Sequence, residues 1–354
     1  MAGRTVRKTR SRARPARTAR RVHSPARLLQ LGLGFWGPRA LLSAVELGVF
    51  SALAKGPLDQ KQLRARLGLH VRAAHDFLDA LVALRVLRRR AGRYHNTSDA
   101  DAFLDRAKPG YVGGILEMAA RRLYPFWGSL TEALRTGAPQ NEARAGGDPF
   151  AALYADPERL RGFLAAMTGA SMGAARAIAS KFPWRNYETF VDVGAAQGCV
   201  PVQLALAHRH LRGTGFDLAP VEPIYSEFVR SFGLEARLGF QAGDFFRDPM
   251  PQADVLIMGH ILHDWNLEQK HLLLQKAYAA LPKRGTLIVY DAMIDDARSS
   301  NAAGLLMSLN MLIETPGGFD YTPSDCRGWM KATGFRSIRL VPLTAMESML
   351  VATK

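Results

Sequence analysis

Apolar positions in the first third of the chain recur at helical spacing. Over residues 41–53, Leu42, Val45, Val49, Phe50 and Leu53 share one face before Lys55-Gly56-Pro57 breaks the run, which predicts one helix and its stop. A short helix over 58–67, a turn at Gly68 and a second amphipathic helix carrying Val71, Ala74, Phe77, Leu78, Leu81 and Leu84 follow. A basic hairpin, RVLRRRAGRYHNT, completes a winged-helix pattern. Residues 108–181 read as helical throughout. They end in a long helix that opens at Pro157, with Asp156 as its N-cap and Leu160, Phe163, Leu164, Met167 and Ser171 along one side.

The period changes after Lys181. Short β-rich runs (TFVDVG, GTGFDL, LGFQAGD, ADVLIMGH, GTLIVYDAMI) alternate with helical stretches that reach to about His208, to Phe232 and over 266–281. That alternation is the mark of a parallel sheet covered by helices on both faces. The final runs, SIRLVPL and SMLVATK, lie close enough to form an antiparallel hairpin at the sheet edge. At 354 residues the chain divides into a basic tail over 1–27, a winged-helix domain over 28–105, a helical linker over 106–181 and an α/β domain over 182–354.

Composition narrows the class. Apolar residues make up 48% and charged residues 22%, and no apolar run is long enough to cross a bilayer, so a globular protein without a transmembrane segment is expected; the sparse cysteines make a reducing, cytoplasmic setting the default expectation. Cys199 and Cys326 are the only cysteines, and no Cys/His group stands at ligand spacing, so neither a disulfide framework nor a metal is expected. The net charge of +16 raises nucleic acid as a partner. Ten of the Lys and Arg residues lie in 1–27, however, with no acid among them, leaving +6 for the rest. The tail is too polar to bury a core and reads as disordered: an inert extension, a contact arm or a targeting segment. The wing arginines of 85–90, with Arg64, Arg66 and Arg72, keep a DNA-binding reading in play.

Three strand tips carry the chemistry. The first ends in Asp192-Val193-Gly194-Ala195-Ala196-Gln197-Gly198 and runs into a helix, the place where open α/β sheets bind ligands. The second, Gly215-Phe216-Asp217-Leu218, puts a carboxylate where it can accept hydrogen bonds from a ribose diol. The third, Gly243-Asp244-Phe245-Phe246, offers a carboxylate for an adenine amino group beside a ring that can stack on the base. Each acid alone serves equally well as a helix N-cap. Together the three tips read as an adenosyl site without pyrophosphate.

With GFDL, GDFF and LHDW in that order, residues 30–354 resemble the small-molecule O-methyltransferases, the family of plant caffeate and flavonoid, acetylserotonin and bacterial polyketide-tailoring enzymes. The resemblance implies a Rossmann-like class I methyltransferase domain of α/β type, with a parallel sheet and a C-terminal antiparallel hairpin. Before it comes an all-helical winged-helix dimerisation domain, its hairpin the wing, so a homodimer is implied. It also implies S-adenosyl-L-methionine as cofactor and His263 of His263-Asp264-Trp265 as catalytic base, held by Asp291 and by Asp320 after the Pro-Gly-Gly turn. His260 and Trp265 join the cofactor set. Two departures stand out: the glycine triplet is Gly194-Ala195-Ala196, and Gly259 replaces a frequent Lys or Arg. If Ala196 needs a positive φ, the strain is on the order of 1 kcal/mol.

Methyl transfer is an in-line displacement at a sulfonium carbon, so the protein has to align the reactants and remove a hydroxyl proton. If the family arrangement holds, Phe163, Met167 and Met172 with Asn310, Met311 and Thr315 line the pocket of a small hydroxylated, aromatic or polyketide-like acceptor. Met and Phe stripes serve equally as plain core. Two other functions compete: a cofactor-binding relative that no longer methylates, acting as hydroxylase or pericyclase, and a winged-helix regulator that binds DNA.

Overall fold

The computed structural model describes residues 23–145 and 151–354. Of the basic tail over 1–27, residues 1–22 lie outside the described residues, and its last two residues begin a helix rather than a disordered stretch. The chain divides into two compact units, one ending at Pro38 and one running from Arg39 to Lys354. In the first, the helix Ala26–Gly32 buries none of its residues.

The wing module opens the second unit. Where the apolar pattern over 41–53 predicts one helix, two form, ending at Glu46 and starting at Val49. Gly48 separates them in the left-handed region at φ 72°, which a continuous helix does not accept. The helix expected from Leu58 instead begins at Gln60. Asp59 is extended and caps it, its carboxylate accepting from the Gln62 N–H while Gln62 Oε1 accepts from the Asp59 N–H. This frees β1 (Leu58–Asp59) to pair with the wing, so the module is not wholly helical. The wing is β2 (Leu87–Arg90) and β3 (Arg93–Asn96), joined at Ala91-Gly92, both with positive φ as a tight right-twisted hairpin requires. Arg89 is turned back onto Asp79 at 2.6 Å, and the Tyr94 hydroxyl donates to the same carboxylate.

The long helix Pro157–Lys181 forms as its sequence predicts, the Asp156 carboxylate accepting from the N–H groups of Glu158 and Arg159. Seven strands then build one sheet: β4 (Thr189–Val193), β5 (Arg212–Asp217), β6 (Leu238–Ala242), β7 (Val255–Gly259), β8 (Thr286–Asp291), β9 (Arg336–Pro342) and β10 (Ser348–Thr353). Their spatial order is β6-β5-β4-β7-β8-β10-β9. The first five are parallel, and β10 inserts antiparallel between β8 and β9, so the expected hairpin closes one edge. Strand order reverses between β4 and β7, and a ligand crevice forms outside the carboxyl ends at such a switch point.

Alternate side chains feed two cores. Phe190, Ile257, Ile288 and Met349 pack under the helices Pro157–Lys181 and Cys199–Ala207, a layer that also buries Cys199. Val191, Leu256, Val289 and Leu350 pack under Leu267–Ala280 and Pro323–Thr333, where Cys326 is buried. At roughly 25 cal/mol per Å² these two layers are the main source of stability. The helices Ala302–Glu314 and Pro323–Thr333 are not marked in the sequence reading, because their apolar positions merge with the flanking strands.

Candidate active site

A cavity of about 330 Å³ opens at the switch point. One half is polar, built from the tips of β4, β5, β6 and β7. Asp192, Gly194, Asp217, Leu218, Gly243, Asp244, Phe245, His260 and Trp265 all line it, as does Ala196. Gly194 has φ 72°, and a Cβ there would lie 2.3 Å from Ile261 Cδ1, so the turn must stay bare at that point. Ala196 does adopt a positive φ, 49°. Its N–H donates to Asp217 Oδ2 at 2.8 Å, and the Leu218 N–H donates to Oδ1. Burial pushes the Asp217 carboxyl up to about 6 against these two donors. Burial, and then Asp217 itself, raises Asp192 well above the usual carboxylate range.

Two residues expected in the cofactor set do other work as well, or instead. Asp244 Oδ1 accepts from the Phe246 N–H, fixing the turn that presents Phe245 edge-on to Trp265 at 5.9 Å. Gly198 does not line the cavity; it is the N-terminal cap of Cys199–Ala207 at φ 95°. The departure at Gly259 has a local cause. It pairs with Tyr290 across β7 and β8, and a Cβ would stand 1.9 Å from that ring.

The other half is mostly apolar. Phe163, Met167, Asn310, Met311 and Thr315 line it, together with Ile115, Met118 and Met307. Met172 does not: it is buried in the core layer one turn further along the long helix. The Asn310 side-chain carbonyl accepts from Trp127 Nε1 at 2.8 Å. Thr315 Oγ1 accepts from the Gly318 N–H, bracing the Pro-Gly-Gly turn ahead of Asp320. Sequence reasoning missed Arg122 and Glu314, an ion pair in the cavity wall. Arg122 sits in a π-helical turn over residues 119–123, a widening that no apolar period reveals.

His263 lies in the wall itself, 5% exposed, on a short turn after β7. Its Nδ1 is 3.3 Å from Asp320 Oδ1 and 3.7 Å from Asp291 Oδ1, and its Nε2 is 3.6 Å from Asp264 Oδ1. Asp291 and Asp320 stand behind the ring, away from the cavity, and the Tyr321 hydroxyl donates to Asp291 Oδ2. Burial disfavours a charged imidazole, but Asp291, Asp264 and Asp320 overcome it and push His263 up to about 10. Lys270, fully buried, donates to the Trp265 carbonyl and lies 3.6 Å over the Phe319 ring. Burial lowers it to about 8, with Asp291, Asp320 and Asp264 opposing.

A parallel sheet with a glycine-bearing first tip, two buried acids on neighbouring tips and a histidine facing an apolar half-cavity defines an adenosyl-binding transferase of the class I methyltransferase type. The comparisons with known proteins agree. A family model described as O-methyltransferase domain matches residues 127–336, and one described as O-methyltransferase dimerisation domain matches 29–106. The tetracenomycin polyketide synthesis 8-O-methyl transferase TcmO of Streptomyces glaucescens is 45% identical, covering 94% of this chain and 98% of that one. The N,N-dimethyltransferase OxyT of Streptomyces rimosus is 39% identical, over 87% of this chain and 90% of its own length. Human N-acetylserotonin methyltransferase, crystallised with S-adenosylmethionine, superposes with a TM-score of 0.86 at 28% identity, over 95% of this chain and 99% of that one. The chain belongs to the S-adenosylmethionine-dependent O-methyltransferase family.

Proposed function

We propose that the chain methylates a hydroxyl of an aromatic polyketide, with His263 as general base and with Asp320 and Asp291 as the residues that position it. The supporting observation is His263 itself: buried in the wall of the cavity beside its largely apolar half, with Asp320 and Asp291 on its Nδ1 side and Asp264 3.6 Å from Nε2. Asp192, Gly194, Ala196, Asp217, Leu218, Gly243, Asp244, Phe245, His260 and Trp265 would hold S-adenosylmethionine. The buried acids at Asp192 and Asp217 suit a ligand that carries hydroxyls and positive charge. When bound, that cofactor supplies an activated methyl group and a second positive charge in the cavity.

The protein's part is proton removal and alignment. An Nδ1–H held by the carboxylates leaves Nε2 as the acceptor nitrogen, and the imidazolium formed on taking the hydroxyl proton is stabilised by the same acids. With a second cation in the cavity, the charged ring is less favoured and the neutral base more available. General base catalysis of this kind is worth roughly 10²–10⁴ in rate. The test is methyl transfer to phenolic polyketides, followed by mass spectrometry. His263→Asn should lower kcat by about that factor while binding S-adenosylhomocysteine as the unaltered protein does. Turnover within a few-fold of the unaltered protein would rule out His263 as base.

The N,N-dimethyltransferase relative favours a second reading, an amine acceptor. A protonated amine must also lose a proton, so amine-bearing polyketides belong in the same assay. We further infer a homodimer acting in the cytoplasm. Leu28, Leu29 and Leu31 are 73%, 59% and 79% exposed within the segment matched by the dimerisation model. Among the described residues no helix is long and apolar enough to cross a membrane.

A further inference from the structure

A place in the proposed cofactor set does not account for the pose of His260. It is held at φ 54°, a conformation rare for a residue with a side chain, and its N–H donates to the Tyr290 carbonyl. In that pose its Nδ1 lies 3.8 Å from Asp291 Oδ1, the oxygen that also lies 3.7 Å from His263 Nδ1. One ligand atom from each of His260, His263 and Asp291 falls within 4.8 Å of the other two. Their positions in the sequence, 260, 263 and 291, do not form a recognisable ligand spacing. They meet because β7 and β8 are neighbours in the sheet.

We propose that His260, His263 and Asp291 bind a single first-row transition-metal cation of the Zn²⁺ type. Two imidazoles and one carboxylate with a further position open are a familiar set for such an ion. Tetrahedral bonds of roughly 2.0–2.2 Å place ligand atoms about 3.4 Å apart, so the two imidazole–carboxylate pairs must close by roughly 0.3–0.4 Å and the imidazole pair by at most about 1.4 Å. Asp291 has the atom for it. Its Oδ2 accepts from Tyr321, whereas Oδ1 is buried, lies between the two rings and has no hydrogen bond. A buried carboxylate oxygen left without a donor is costly, and a cation satisfies it.

The far side of each ring is also provided for. Glu347 Oε1 stands 3.0 Å from His260 Nε2, though out of line for a hydrogen bond, and Asp264 Oδ1 stands 3.6 Å from His263 Nε2. Carboxylates behind metal-binding imidazoles fix their tautomer and raise their basicity. Glu347 is itself anchored, accepting from the Thr344 hydroxyl at 2.9 Å. His260 borders the cavity, which gives an ion a path in. In the imidazolium form the ion replaces the proton on His263 Nδ1, which leaves Asp320 and passes to solvent, and the second ring proton stays on Nε2; in the neutral form the Nδ1 proton moves to Nε2 and none is released. Either way Nε2 can no longer accept a proton from a hydroxyl. Inhibition of methyl transfer follows, and this last consequence rests on His263 being the base.

The test uses the full chain, stripped with a chelator and titrated with Co²⁺ while its visible absorption is followed, then with Zn²⁺ in competition. One equivalent should bind with the intense bands of a low-symmetry site. His260→Ala and Asp291→Asn should abolish those bands. Glu347→Gln, which leaves all three ligands in place, should weaken binding about 10-fold or more. Thermal melting and circular dichroism show whether each variant is folded, His260 being itself in the proposed cofactor set. No stoichiometric band in the unaltered protein, or equal binding in a folded His260→Ala variant, would overturn the proposal. Binding without loss of methyl transfer would support the metal site and count against His263 as the base.

Discussion

His263 is surrounded by more negative charge than its proposed role as a base at neutral pH requires. Its pKa, raised to about 10, means the free enzyme holds it as imidazolium over most of the working range. For the chelator-treated enzyme, kcat/KM should therefore climb with pH on a limb set by the free protein, and kcat on a limb at lower pH, where bound cationic cofactor opposes the ring's charge. Asp320→Asn removes the nearest carboxylate and should move the kcat/KM limb to lower pH. A limb that stays in place in that variant would assign it to another group. The same shift has a consequence for stability. The folded pKa lies above the ordinary histidine value near 6.5, so the imidazolium's contribution is complete below about 6.5 and is lost as pH rises toward 10. Melting temperature should fall across that window, and His263→Asn should flatten the fall. Ala196 offers a quieter test. Its positive φ costs on the order of 1 kcal/mol, and glycine relieves that while making the unfolded chain more flexible by roughly 0.5–1 kcal/mol. Ala196→Gly should thus leave the melting temperature nearly unchanged, and a β-branched Ala196→Val should lower it.

Between elements, the pairing of β7 with β8 decides where the chemistry stands. Gly259 is bare because the Tyr290 ring fills the space a Cβ would take. Gly259→Ala should destabilise the fold by about 1–3 kcal/mol, as overpacking does, and Tyr290→Leu in the same chain should recover part of that loss. Denaturant midpoints of the two single variants and the double variant give the coupling. An additive result would mean that the two residues do not meet. Much of this layer could be read from sequence. The alternation of strands and helices, the three acid-bearing tips and the closing hairpin all follow from period and turn chemistry. What could not be read is where alternate signals compete. Gly48 breaks a run whose apolar spacing is unbroken, and Asp59 trades a helical position for a cap. The π-helical turn that brings Arg122 to Glu314 inserts no residue type that announces it. Met172 has the spacing of a lining residue but lies where the long helix has already turned toward the core. The role proposed for Asp291 needed the family resemblance, since nothing in IVYDAM by itself points a carboxylate at a histidine 28 residues earlier.

For the whole molecule, the helix Ala26–Gly32 is the part least able to stand alone. Leucines at 28, 29 and 31 exposed to solvent leave an apolar surface that a second copy would cover. Leu28→Asp with Leu31→Asp should convert a dimer to a monomer in light scattering, and a dimer that survives both would place the interface elsewhere. The two core layers carry a different consequence. Cys199 and Cys326 lie on opposite faces of the sheet, both buried, and burial raises both thiols far above the range in which they react. Cys326 is therefore silent toward an alkylating reagent until its own face opens, whereas Cys199 also borders the cavity and is read with that cavity filled by S-adenosylhomocysteine. Mass spectrometry of the filled protein under slow alkylation would then read two clocks in one molecule. Equal rates would mean the faces open together, and a Cys199 that stays early with the cavity filled would show that the layer under the long helix breathes first.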